Sequence, residues 1–156
     1  MSIKIGIIGA GGMARYHVAG FRSAGAEVLA FCDPSPEARK RAADTFGVAE
    51  TYASLPEMLK ARPEIEAVSI ITPNKFHSPL AVEALAAGRH VFCEKPPALN
   101  AAEVGRMKAA AEASGRHLVF DFNNRARPES QAMMEYIKSG EVGHINSARA
   151  VWSRRS

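Results

Sequence analysis

Short apolar runs and amphipathic segments alternate along this chain of 156 residues. The runs are typical of buried strands, and the segments between them have the apolar spacing of helices. The pattern predicts strands at residues 3–8, 28–32, 51–52, 67–71, 91–93 and 118–122. It predicts helices at residues 15–24, 36–46 and 128–139, and others that begin near residues 54, 78 and 100. Such alternation favours an α/β protein with a doubly wound parallel sheet, covered by helices on both faces.

A glycine-rich turn separates the first predicted strand from the first predicted helix. Its sequence is Gly9-Ala10-Gly11-Gly12-Met13-Ala14. Gly9 permits the tight turn, Gly11 leaves room for a pyrophosphate against the backbone, and the small Ala14 lets the helix pack close to the strand. Free N–H groups and the helix dipole would then face the anion. The loop by itself is as compatible with an ordinary glycine turn as with a phosphate site.

An acid at the end of the second predicted strand favours the phosphate site over the ordinary glycine turn. Asp33 lies about 20 residues beyond the glycines, the spacing at which a carboxylate accepts hydrogen bonds from a dinucleotide ribose. The alternative is that Asp33 caps the next helix, because residues 34–37 form a helix-start sequence. The order of strand, loop, helix, strand and acid favours the ribose role. A carboxylate repels a 2′-phosphate, so NAD is predicted as the cofactor. NADP is the alternative, because Ser35 and Arg39 lie close enough in the sequence to weaken this preference.

Composition and charge narrow the class of protein. Hydrophobic residues make up 47% of the chain, which is typical of a globular domain, and the apolar runs are too short to cross a membrane. We find no secretory signal and expect a cytoplasmic protein. The net charge of +4 could suit nucleic acid, but the basic residues are scattered without stacking aromatics, so we expect neither nucleic acid nor membrane as a partner.

Cys32 and Cys93 are predicted to be core residues. No grouping of cysteine and histidine residues in the sequence has the spacing of a metal site.

Polar residues follow two strands at the edge where a parallel sheet binds ligands. Thr72, Asn74 and His77 follow the fourth strand and offer hydrogen bonds to a ribose or an amide. The alternative is a plain loop with a helix cap. Glu94 and Lys95 follow the fifth strand, where a lysine could supply a positive charge or a proton to a substrate oxygen. The alternative for this pair is a surface ion pair.

Four segments together resemble one family. They are the glycine loop, Thr72-Pro73-Asn74 with His77, Glu94-Lys95-Pro96, and Asn123-x-Arg125-x-x-Pro128 followed by Gly140-Glu141-Val142-Gly143. In these segments the chain is similar to the N-terminal half of the glucose–fructose oxidoreductase, inositol dehydrogenase and MocA family. Its members are mostly NAD(P)-dependent oxidoreductases of sugars, cyclitols and related hydroxy compounds. The resemblance therefore implies a Rossmann fold and hydride transfer between a nicotinamide and a carbinol or ketone carbon.

The resemblance also implies roles for single residues. Lys95 would be the catalytic residue, near the nicotinamide ribose and the substrate, where it assists proton transfer or polarises the oxygen. The residues implied to contact the cofactor are Gly9, Gly11, Gly12, Met13, Ala14, Asp33, Thr72, Asn74, His77, Glu94, Lys95, Asn123 and Arg125. No metal is implied. The chain departs from the family pattern around the last motif, where Asp121, Asn124 and Ala126 replace the usual glycine, arginine and phenylalanine.

Family members continue into a second, α+β substrate domain. Residues 1–142 are predicted to form the dinucleotide-binding domain, and residues 143–156 to supply the first strand of the next domain, at 145–152. We therefore expect NAD(H) binding with little dehydrogenase activity from this chain, and a sugar or polyol as substrate of the full-length protein. The alternatives are a non-catalytic dinucleotide sensor, an assembly module that forms homo-oligomers through the terminal strand, and a coenzyme A site, against which Asp33 argues.

Overall fold

A computed structural model describes residues 2–151 of the chain. The strands are β1 (Lys4–Ile8), β2 (Glu27–Cys32), β3 (Thr51–Tyr52), β4 (Ala67–Ile70), β5 (His90–Cys93) and β6 (Leu118–Phe120). The α-helices are α1 (Ala14–Ser23), α2 (Pro36–Phe46), α3 (Leu55–Ala61), α4 (His77–Ala86), α5 (Ala101–Ser114) and α6 (Pro128–Lys138). Short 3-10 helices lie at Asn74–Phe76 and Asn123–Ala126. The predicted order of elements is confirmed, with boundaries that shift by one or two residues.

The six strands form one parallel sheet in the order β3-β2-β1-β4-β5-β6. Ile7 of β1 packs with Val18 of α1 on one face, which α2 also covers. On the other face, α3, α4 and α5 contribute Met58, Leu85 and Met107 to a second core. The doubly wound sheet is thus confirmed. The strand order reverses between β1 and β4, and the crevice at this switch point is where such sheets bind ligands.

Local capping signals begin three of the helices as the sequence indicates. The side chains of Ser35, Ser54 and Asn100 each accept a backbone N–H from three residues farther on, at the starts of α2, α3 and α5. Each bond satisfies one of the N–H groups that lack an intrahelical partner. Ser35, and not Asp33, is therefore the residue that caps α2.

Both cysteines lie in the core. Cys32 ends β2 and Cys93 ends β5, both are buried and free, and β1 and β4 separate their strands. Burial raises the pKa of each thiol to about 12, because a thiolate would lose its hydration there. The prediction that they are core residues is confirmed.

The chain groups into two compact units, Met1–Asp121 and Phe122–Ser156. The first holds the whole sheet with α1 to α5, and the second holds α6. Residues 145–151 form no strand, contrary to the prediction for 145–152, whose last residue lies outside the described chain. A single extended segment gains no ladder hydrogen bonds without a neighbouring strand, which explains the difference. The boundary predicted after residue 142 stays a prediction. No described helix has the length and apolar character that a bilayer requires.

Candidate functional site

The glycine loop after β1 needs its glycines for two different reasons. Gly9 has a φ of +101°, and its N–H donates to the carbonyl oxygen of Cys32 at 2.7 Å. A Cβ on Gly9 would lie 3.2 Å from the carbonyl carbon and oxygen of Ile71, so the fold itself requires glycine there. At Gly11 and Gly12 a Cβ would meet none of the described atoms within 4 Å. Packing does not require those two glycines, and they leave the backbone open to a ligand.

Asp33 is fixed against this loop by the backbone. Its Oδ2 accepts the Ala10 N–H at 2.8 Å, and its Oδ1 accepts the Ser35 N–H at 2.9 Å. Each carboxylate oxygen keeps a lone pair for a hydroxyl donor from outside the protein. The negative carboxylate suits a ribose diol better than a 2′-phosphate. Arg39 lies beside the acid and donates from Nη1 to the backbone oxygens of Asp33 at 2.7 Å and Pro34 at 3.2 Å.

A cleft of about 510 Å³ opens at the carboxyl ends of β1, β2 and β4. Gly9, Gly11, Asp33 and Thr72 are among its lining residues, together with Phe76. Among the described residues, the buried Oγ1 of Thr72 has no hydrogen-bond partner, which is costly unless a ligand supplies one. The cleft thus offers open glycine backbone, an oriented carboxylate and an unpaired hydroxyl. These are the groups that bind a pyrophosphate and a ribose, so the residues fit a dinucleotide.

Other predicted residues of this region have different surroundings. Ala14 is 1% exposed and packs at the start of α1, as its small size indicated. Met13 is 40% exposed beside the loop. Asn74 is exposed in the 3-10 helix after β4, and is not among the residues that line the cleft. Of the polar residues after β4, Thr72 is the one that the structure brings to the cleft wall.

His77 was expected along the cofactor cleft, but its side chain is buried inside the protein. It is 0% exposed, with Nδ1 2.8 Å from the carbonyl oxygen of Pro96 and Nε2 2.8 Å from that of Thr72. Both ring nitrogens are therefore used within the protein, and the imidazole has no free edge for a cofactor.

Glu94 also points inward, into a polar network that the sequence did not reveal. Its Oε2 accepts the Lys95 N–H at 3.0 Å, and its Oε1 lies 3.3 Å from His17 Nε2. His17 Nδ1 lies 2.9 Å from Ser69 Oγ, and Asp121 Oδ2 lies 3.8 Å from His17 Nε2. An Nε2–H that donates to Glu94 accounts for this geometry without a bound cation. A serine inside an apolar strand and a histidine on the apolar stripe of α1 were the signals available.

Lys95 is exposed directly after β5, on the ligand-binding edge of the sheet. Within residues 2–151, no carboxylate lies within 4.0 Å of its Nζ, so the surface ion pair with Glu94 does not form. The Lys95 ammonium therefore has no fixed carboxylate partner in the described chain.

Asn123 and Arg125 belong to the second unit, where the Arg125 guanidinium lies 4.7 Å from the centroid of the Phe122 ring.

Known proteins with related sequences include sugar and cyclitol dehydrogenases. The family model GFO_IDH_MocA, described as an oxidoreductase family with an NAD-binding Rossmann fold, matches residues 3–122. The D-glucoside 3-dehydrogenase of Escherichia coli K12 is 32% identical, over 96% of this chain and 43% of its own length. The inositol 2-dehydrogenase of Gluconacetobacter diazotrophicus is 31% identical, over 97% of this chain and 46% of its own.

Solved structures of dehydrogenases also match the fold of this chain. The WlbA dehydrogenase of Bordetella pertussis, in complex with NADH and UDP-GlcNAcA, matches with a TM-score of 0.86 and 32% identity, over 92% of this chain and 44% of its own. The scyllo-inositol dehydrogenase of Lactobacillus casei, with NAD(H) and scyllo-inositol, matches with a TM-score of 0.83 and 26% identity, over 92% and 43%. This chain spans less than half the length of these relatives. On its sequence, fold and cleft, the chain belongs to the glucose–fructose oxidoreductase, inositol dehydrogenase and MocA family and forms its NAD-binding Rossmann domain.

Proposed function

We propose that this chain is the cofactor-binding part of an oxidoreductase that oxidises or reduces a sugar, a cyclitol or a related hydroxy compound. The observation that carries the proposal is the cleft at the switch point, which is lined by Gly9 and Gly11 of the glycine loop together with Asp33 and Thr72. Bound NAD would accept or supply the hydride. The residues of this chain then have to hold the dinucleotide, keep its ribose and pyrophosphate in place, and move a proton at the substrate oxygen.

The binding roles follow from the groups that each residue leaves free. The backbone at Gly11 and Gly12 would bind the pyrophosphate oxygens through its N–H groups, since an added Cβ at either glycine would meet none of the described atoms within 4 Å. Asp33 accepts two ribose hydroxyls with the lone pairs that Ala10 and Ser35 leave unused. Thr72 supplies its unpaired hydroxyl to the cofactor. Together these groups favour NAD over NADP, since the Asp33 carboxylate would repel a 2′-phosphate.

Lys95 would act at the substrate. Its ammonium has no fixed carboxylate partner in the described chain, and its backbone N–H is held by the Glu94 side chain. Glu94 is in turn held by His17, so the start of the lysine segment is anchored to α1. A lysine placed in this way can donate a proton to an alkoxide or polarise a carbonyl, the contribution expected of a general acid.

The proposal is tested by cofactor binding and by turnover. NADH binding is measured by fluorescence titration, and NAD reduction is followed with a panel of sugars and cyclitols. We expect NADH to bind, and the Lys95→Met variant to bind it while losing at least 100-fold in any turnover, the lower range for removal of a general acid. Turnover by Lys95→Met at the wild-type rate would overturn the role of the lysine. Because little turnover is expected from this chain, NADH binding carries the test of the cofactor role, and a failure to bind NADH would overturn the proposal.

A further inference from the structure

His77 occupies a position between the cofactor cleft and the lysine segment. Its ring lies at the start of α4, is fully buried, and touches one backbone carbonyl at each nitrogen. One carbonyl belongs to Thr72, which lines the cleft after β4. The other belongs to Pro96, the residue after Lys95. A single side chain therefore spans the two segments that the proposed function assigns to cofactor and substrate.

The two contacts hold the ring from both sides. Both N···O distances are 2.8 Å, within the usual range for a hydrogen bond from a nitrogen donor. A carbonyl oxygen can only accept a hydrogen bond, so the ring nitrogen that carries the proton donates to the carbonyl oxygen in front of it. The other nitrogen packs against the second carbonyl group, and the buried ring therefore contacts both segments in either tautomer.

We propose that His77 is a positioning residue whose buried ring ties the loop at Thr72 to the segment at Pro96. It would keep the Thr72 hydroxyl at the cleft wall and Lys95 at the sheet edge, without touching the cofactor itself. This inference rests on the proposed function in that the two segments it joins are those assigned to cofactor and substrate. The order of the two segments can be measured independently of any ligand.

Two substitutions separate the two ends of this tie. In His77→Asn the amide nitrogen lies near the position of Nδ1, so the bond to Pro96 can persist while that to Thr72 is lost. In His77→Gln the amide nitrogen reaches the position of Nε2, so the reverse applies. Ser78→Ala is the matched control, because Ser78 is the next residue of α4, is also buried, and donates from Oγ to the carbonyl oxygen of Glu103 at 3.3 Å.

Hydrogen exchange and NADH titration give the readouts. We expect His77→Asn to raise amide exchange selectively at residues 72–76, and His77→Gln to raise it selectively at residues 95–100. We expect the Kd for NADH to rise at least fivefold in both variants and to stay within twofold of wild type in Ser78→Ala. If all three variants bind NADH as the wild type does, His77 is a core residue only and the proposal fails.

NMR of the wild-type imidazole provides a readout even if a variant does not fold. We expect a ring N–H of His77 to be protected from exchange with solvent, because it is buried against a backbone carbonyl oxygen. A ring whose N–H exchanges freely would overturn the tie. If the wild type fails to bind NADH, the cofactor assignment fails instead, while the NMR spectrum and the exchange pattern still judge the role of His77.

Discussion

Removal of the Asp33 carboxylate should separate NAD from NADP. In Asp33→Ala, NAD loses acceptors for its ribose hydroxyls, and a hydrogen bond to a charged group contributes about 1.5–3 kcal/mol. The loss of one such bond corresponds to a rise in Kd of roughly 10- to 150-fold. A 2′-phosphate has no such bond to lose and is relieved of a repulsion. Both cofactors share a second loss, because the substitution also frees the Ala10 N–H that now bonds to Oδ2 at 2.8 Å.

Fluorescence titrations with NADH and NADPH at one ionic strength measure the two affinities. We expect the ratio of the two Kd values to move towards NADPH by at least tenfold, the lower limit for one charged hydrogen bond. Asp44→Ala is the control, since Asp44 is an exposed aspartate of α2 that pairs with Lys40. Equal losses for NADH and NADPH would refute the ribose role and leave Asp33 as a residue that only holds the loop.

Three further results are expected. Gly9→Ala should lower the free energy of unfolding by about 1–3 kcal/mol, because φ is +101° and the added Cβ meets the backbone directly after β4. Gly11→Ala should melt near the wild-type temperature but bind NADH more weakly. Equal melting curves for the two variants would contradict this. Cys32 and Cys93 should resist thiol reagents in the native protein. Above roughly pH 9, the free energy of unfolding should fall by about 1.4 kcal/mol per pH unit for each thiol, because the folded state keeps protons that the unfolded chain releases. A double alanine variant with the same pH slope would exclude the thiols as the cause. Asn100→Ala should lower stability by about 1 kcal/mol in urea unfolding, and an unchanged midpoint would show that the cap contributes nothing.

The sequence predicted the fold best where the signal is local. The caps Ser54 and Asn100 bond to residues three positions away, and the helices that they begin match the pattern. The glycine turn and Asp33 also lie where the pattern puts them, although Asp33 bonds to Ala10, 23 residues away. The expected strand at residues 145–152 failed in its described part because a strand needs a neighbour, which an amphipathic pattern does not supply.

The sequence alone determined the order of strands and helices, the glycine turn and the acid that follows it. Periodicity and capping depend on residues within a few positions of one another, so the sequence alone shows them. Only the tertiary structure decided that His77 and Glu94 face inward, and that His17, Ser69 and Asp121 lie around Glu94. It also decided that the Thr72 hydroxyl is left unpaired. These contacts link segments far apart in the chain. Their existence depends on the parallel order of β1, β4, β5 and β6, which brings the strand ends to one edge.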